Sequence, residues 1–175
     1  EVIYPSPGFP VYESWVTFVG AKPVPFRLKE EAGFAMTAAD LEALITDKTK
    51  VIILNSPANP TGGLIEADAL AEMAAVIRDK APKDVRVYSD EIYENIIFDG
   101  RSHASIASEP GMEERTLIAS GHSKSFAMTG WRLGYVVLPT IEEAEIFKNF
   151  NINIISCTPP FIQEAGREAL ESPET

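Results

Sequence analysis

Short apolar runs alternate with longer amphipathic stretches along this chain, and that alternation restricts its fold more than any other feature. Val51-Ile52-Ile53-Leu54 is continuously apolar, as suits a parallel strand covered on both faces. Val2-Ile3-Tyr4 has the character of a strand end, residues 22–27 are strand-like, and residues 85–89, 116–119 and 133–138 predict further strands. Residues 12–19 predict a helix that stops at Gly20. Thr37 is placed to cap a helix, with Asp40 three residues on and Leu41, Leu44 and Ile45 at helical spacing. Residues 65–79 repeat Ala and Leu at helical spacing with charged residues opposite, and residues 141–150 predict another helix. Strands alternating with helices predict an α/β fold with a mostly parallel sheet. Right-handed crossovers then gather the strand C-terminal ends on one edge, where open sheets of this type bind ligands.

Polar clusters follow three of these strands. Asn55-Ser56-Pro57-Ala58-Asn59-Pro60-Thr61-Gly62-Gly63 follows the first. Its prolines and glycines fix an irregular loop, which is either a turn into the next helix or a platform that presents the Asn59 amide to a ligand. Ser89-Asp90-Glu91-Ile92-Tyr93 follows the second. A carboxylate where an apolar strand meets the sheet edge needs a partner, so Asp90 either caps a following helix or pairs with a cationic ligand nitrogen. Ser120-Gly121-His122-Ser123-Lys124-Ser125 follows the third and runs on to Gly130-Trp131-Arg132-Leu133-Gly134. In a small polar loop, Lys124 is either an ordinary solvated charge or, if desolvated or set among cations, a nucleophilic amine. The Arg132 fork suits a phosphate, and the hydroxyls of Ser123 and Ser125 can also donate to one.

One ligand satisfies all three clusters. It carries a carbonyl for Lys124, a protonatable ring nitrogen for Asp90, a hydroxyl for Tyr93 and Asn59, and a phosphate for Arg132. Pyridoxal 5'-phosphate has these features, and a lysine imine with an acidic partner to the ring nitrogen is its usual arrangement. Composition narrows the other choices. The chain has 175 residues, 45% of them apolar, enough for a packed core. Its net charge of −11 opposes binding to nucleic acid and to anionic membranes. No apolar run reaches the roughly 18–20 residues of a membrane helix, and the start lacks the pattern of a signal peptide. His103 and His122 share no spacing that suggests a metal site, so no metal is expected. Cys157 is the only cysteine, which excludes an internal disulfide and fits a reduced, cytoplasmic setting.

The motifs Asn-Ser-Pro-x-Asn-Pro-Thr-Gly at 55–62, Ser-Asp-Glu-Ile-Tyr at 89–93 and Ser-Lys-x-x-x-Met-x-Gly-Trp-Arg-Leu-Gly-Tyr at 123–135 resemble those of the class I/II aminotransferases of pyridoxal-phosphate fold type I, the aspartate aminotransferase-like enzymes. The resemblance spans nearly the whole chain and implies the three-layer α/β/α large domain of that family. It implies that Lys124 forms the Schiff base and shuttles the substrate proton, and that Asp90 pairs with the ring nitrogen. It gives Tyr93 and Asn59 the ring hydroxyl, Arg132 and Ser123 the phosphate, and Phe9 the ring face. In relatives the Asn59-Pro60 bond is often cis. Lys124, Asp90 and Tyr93 are thus the implied catalytic residues.

The resemblance further implies an amino acid and a 2-oxo acid as substrates and a homodimer for the intact protein. Residues 1–150 are expected to form part of the large domain, lacking its N-terminal portion, and residues 151–175 to begin the connection to a small domain. Both ends are expected to be cuts through a longer protein. Other outcomes are a C–S lyase, decarboxylase or cyclopropane-forming relative, a non-catalytic regulatory module, or an inert fragment.

Overall fold

The structure is a computed structural model that describes residues 1–172. Its centre is a six-stranded sheet. In chain order the strands are β1 (Val2–Ser6), β2 (Pro23–Arg27), β3 (Val51–Asn55), β4 (Arg86–Asp90), β5 (Thr116–Gly121) and β6 (Gly134–Val137). In space they run β2-β1-β3-β4-β5-β6. All neighbours pair parallel except β5 and β6, which are antiparallel. The helices are α1 (Val11–Phe18), α2 (Ala38–Glu42), α3 (Ala67–Lys80), α4 (His122–Ser125), α5 (Ile141–Ile154) and α6 (Pro160–Glu171). The mostly parallel α/β sheet matches the expectation from sequence.

Strand side chains alternate between faces, and consecutive residues of β1 and β3 are buried, so both faces are covered at the centre of the sheet, while β6 is exposed along its length. Ile3, Ile52, Leu54 and Val87 point to one face and pack with Leu41 of α2 and with Leu70, Met73, Ala74 and Ile77 of α3. The α3 set recurs at the spacing of one helical face. Burying each of these large aliphatic side chains stabilises the fold by roughly 1.5–3 kcal/mol. Tyr4 and Ile53 point to the other face and pack against Tyr12 of α1. Thr37 caps α2 as the sequence predicts: its hydroxyl oxygen accepts from the Asp40 N–H at 3.2 Å. Gly20, at φ 75°, takes the left-handed conformation that closes α1.

This topology prepares one edge for a ligand. From β1 the chain turns to one side to form β2, then crosses back past β1 to form β3. The loops after β1 and β3 therefore part at a point where strand order reverses, which is where open α/β sheets bind ligands. They carry Phe9 and Asn59. β4 delivers Asp90 to the same edge. Because β6 runs antiparallel to β5, its start lies beside the end of β5, and Arg132 returns to the neighbourhood of Lys124.

Two details differ from the sequence reading. The Ser-rich segment around Lys124 is one helical turn, α4, rather than an open loop. The predicted helix 141–150 continues to Ile154, so the expected boundary at residue 150 falls within α5. His122, given no role from sequence, is buried, and its Nε2 lies 3.0 Å from the Gly166 carbonyl oxygen of α6.

The junction of β5 and β6 is tight. Gly121 faces Gly134 in register, and a Cβ at Gly121 would lie 2.8 Å from the Gly134 Cα and 3.0 Å from the Leu133 carbonyl oxygen. Gly121→Ala is expected to cost about 1–3 kcal/mol by overpacking, lowering Tm by roughly 2–4 °C per kcal/mol. A methyl at Gly130 meets nothing within 4 Å, so Gly130→Ala should stay within about 0.5 kcal/mol of the unmodified protein. Thermal denaturation of the two variants checks the contrast, and equal effects would contradict it.

Candidate active site

A cavity of about 330 Å³ opens at the C-terminal edge of the sheet, at the lower end of the roughly 300–1,000 Å³ typical of small-molecule pockets. Of the residues singled out from sequence, Phe9, Asn59, Asp90, Tyr93, Ser123, Lys124 and Arg132 line it, whereas Ser125, also considered as a phosphate donor, lines a separate cavity with Glu94 and His103. Tyr12, Asn55, Tyr88, Ser120 and Thr129, which the sequence reading passed over, line the first cavity as well.

Asp90 ends β4 and is half-buried. Its Oδ2 accepts a hydrogen bond from the Tyr12 hydroxyl at 2.6 Å, and its Oδ1 accepts from the Ile92 N–H at 3.3 Å. The second bond closes a local turn. No α-helix follows Asp90 directly, so the helix-cap alternative is not what the chain builds. Burial raises the Asp90 carboxyl above the usual carboxylate range; the Tyr12 and Ile92 donors oppose the shift and the nearby Glu91 charge adds to it. Among the described residues no lysine, arginine or histidine pairs with Asp90. The carboxylate thus has hydrogen-bond donors but no counter-charge.

The phenols beside it are held protonated. Burial, then the Asp90 charge, raises the Tyr12 hydroxyl strongly, and the same two causes push Tyr88 up to about 12. Tyr12 could have been found in the sequence. It shares the buried face of α1 with Val16, one turn on, and a tyrosine on a buried helical face needs a partner for its hydroxyl.

Asn55 organises the loop after β3. Its side-chain amide donates to the carbonyl oxygens of Asp90 and Pro57 at 3.1 and 3.3 Å, while its Oδ1 accepts from the Asn59 N–H at 2.8 Å. That network aims the Asn59 side chain across the cavity to the Tyr93 hydroxyl, 3.5 Å away. The Ser6-Pro7, Ser56-Pro57 and Asn59-Pro60 bonds are cis, the last as the resemblance implies.

On the other side Lys124 is exposed on α4, its Nζ 5.7 Å from the centre of the Tyr93 ring. The desolvated amine considered from sequence is therefore not what the described residues build. Arg132 is exposed too. Its Nη1 donates to the Thr129 carbonyl oxygen at 2.9 Å, and the Thr129 hydroxyl donates to the Ser123 carbonyl oxygen at 2.6 Å. These bonds tie Ser123 and Arg132 to one short turn at the cavity mouth. Phe9 meets Tyr12 edge-on, with ring centres 5.8 Å apart.

The donor set is specific in its chemistry: a sunken carboxylate without a cation, a free primary amine, a guanidinium at the mouth, a paired amide and phenol, and an aromatic wall. These residues fit an aromatic cationic ring that bears an aldehyde, a hydroxyl and an anionic group.

The sequence model of the family described as aminotransferase class I and II matches residues 1–175. An aspartate aminotransferase of Pyrococcus abyssi is 43% identical over 172 residues, covering 97% of this chain and 43% of that protein. An aromatic-amino-acid aminotransferase of Thermococcus litoralis is 41% identical over 172 residues, with coverage of 97% and 43%. The crystal structure of an aromatic aminotransferase from Pyrococcus horikoshii superposes with a TM-score of 0.90 at 42% identity, covering 98% of this chain and 45% of that one. The chain thus spans less than half the length of the proteins it resembles.

Asp90 gives a test that needs no ligand. Its folded-state carboxyl is raised, so its contribution to stability is full below the unfolded carboxylate range, near about pH 4, and is lost as pH rises through the folded value. In cofactor-free protein, Asp90→Asn should therefore gain Tm relative to the unmodified chain between about pH 4 and pH 7. Calorimetry across that range checks the sign, and an advantage that shrinks with rising pH would contradict it.

Proposed function

This chain belongs to the class I and II aminotransferase family, and on that premise we propose that it forms the pyridoxal-phosphate site of an enzyme that moves an amino group between an amino acid and a 2-oxo acid. The observation that carries the reading is the single cavity that joins Lys124, Asp90 and Arg132. When bound, pyridoxal phosphate supplies an electrophilic aldehyde carbon and an electron-accepting ring.

Each residue has a task there. The Lys124 amine holds the cofactor covalently. As a free amine it would take the α-proton of the amino acid and hold it for return. Asp90, oriented by Tyr12, supplies the missing half of an ion pair with the ring nitrogen and keeps that nitrogen protonated. Asn59 and Tyr93 hydrogen-bond the ring hydroxyl. Arg132 and Ser123 bind the phosphate, for which the guanidinium fork is well shaped. Phe9 covers one ring face.

Residues 1–150 are then part of the cofactor-binding domain, and 151–175, of which 173–175 lie outside the described residues, begin the connection to a smaller one. Relatives named for aspartate and for aromatic amino acids match the same segment. This supports assigning the segment to the chemistry the two share, with side-chain preference set elsewhere. The intact protein is a homodimer in this reading. Exposed Trp15 and Phe18 on α1 support a covered surface there. The single cysteine supports a cytoplasmic location.

In the full-length protein, Lys124→Ala should abolish the visible absorbance of the lysine-bound cofactor and lower keto acid formation by about a thousandfold or more. Borohydride reduction of the unmodified protein should leave a pyridoxyl adduct on Lys124 by mass analysis. Turnover retained in the variant would overturn the assignment. Release of ammonia without transfer to the oxo acid would point to lyase chemistry instead.

A further inference from the structure

Behind Asp90, on the face of β4 turned away from the cavity, lies a second carboxylate. Glu91 is 4% exposed. Its Oε1 accepts from the hydroxyls of Ser89 and Ser105, each at 2.7 Å, and its Oε2 lies 2.9 Å from His103 Nε2. Burial pushes the Glu91 carboxyl up, and hydrogen bonds from His103, Ser105 and Ser89 more than reverse this, holding it below the usual range. The sequence reading gave none of these contacts a role, and the mechanism above does not use them.

A buried polar cluster of this kind is weak evidence for a stabilising device, because an apolar set of the same shape often does as well. What the cluster does hold is backbone. The Glu91 N–H donates to the Ala119 carbonyl oxygen at 2.9 Å, joining the ends of β4 and β5. Ser105 also accepts from the Ala107 N–H at 3.3 Å, and the next residue, Ile106, is 1% exposed in the main core. The 103–105 segment is thereby pinned to the core at one end and to Glu91 at the other. Asp90 and Ile92, the two ends of the turn that orients the Asp90 carboxylate, flank the residue so anchored.

We propose that Glu91, clamped by His103 and Ser105, is a positioning residue that fixes the β4 terminus so that Asp90 meets the ring nitrogen of the cofactor. The inference rests on the cofactor assignment made above. It places Glu91 outside the reaction, acting only through Asp90. Its negative charge, close to Asp90 in a region of low dielectric, also favours a cation at the Asp90 partner position.

The test is a double-mutant cycle in the full-length protein, read by the dissociation constant of pyridoxal phosphate from visible absorbance. Glu91→Gln should weaken cofactor binding about tenfold when Asp90 is present, and less than about twofold in the Asp90→Asn background. His103→Leu should show the same dependence on Asp90, and His103→Gln, which restores an N–H toward Glu91, should recover most of the loss. The histidine variants keep both carboxylates and run the cycle if Glu91→Gln does not fold. Equal loss in both backgrounds marks a merely structural role and overturns the inference, as does no loss in either. Absence of cofactor binding by the unmodified protein would instead defeat the functional assignment itself.

Discussion

A carboxylate at the end of a buried strand, supplied with donors but with no cation among the described residues, is the constraint around which this site is arranged. Asp90 keeps its charge only against the cost of burial, which the Tyr12 hydroxyl and the Ile92 N–H partly offset. Everything else at the edge accommodates that group. α1 presents Tyr12 to it, the loop after β3 ties Asn55 to its carbonyl oxygen, and the opposite face of β4 holds Glu91 in a separate cluster.

The antiparallel turn from β5 to β6 solves a different problem. An amine and a guanidinium repel, and side chains eight residues apart have no fixed relation in an open loop. The close pairing of Gly121 with Gly134 and the short turn tied by Thr129 bring Lys124 and Arg132 to one cavity. They approach from separate short elements, so they can engage opposite ends of one ligand. Neither residue has a carboxylate partner among the described residues, which leaves both available to that ligand.

Much of this was legible in the sequence, for identifiable reasons. The continuous apolar run at 51–54 suited a strand covered on both faces, and Thr37 with Asp40 announced a helix start. The motifs placed Lys124, Asp90 and Arg132 after strands, and topology did the rest. What the sequence hid depended on contacts between distant segments. Tyr12 was read only as a helix residue, because its partner lies far along the chain. The Glu91, His103 and Ser105 cluster was silent for the same reason: its members share no spacing that marks a site. The helical turn at Lys124 was missed because Ser-rich segments favour loops locally, and here the Leu133 carbonyl and the packing of His122 under α6 outweigh that preference.

The claim that Asp90 awaits a ring cation is tested most directly by nitrogen NMR. Full-length protein would be loaded with pyridoxal phosphate labelled with ¹⁵N in the ring and examined at neutral pH. The account predicts the shift of a protonated ring nitrogen, and its loss in Asp90→Asn. A ring nitrogen that is unprotonated in the unmodified protein, or equally protonated in the variant, would contradict it.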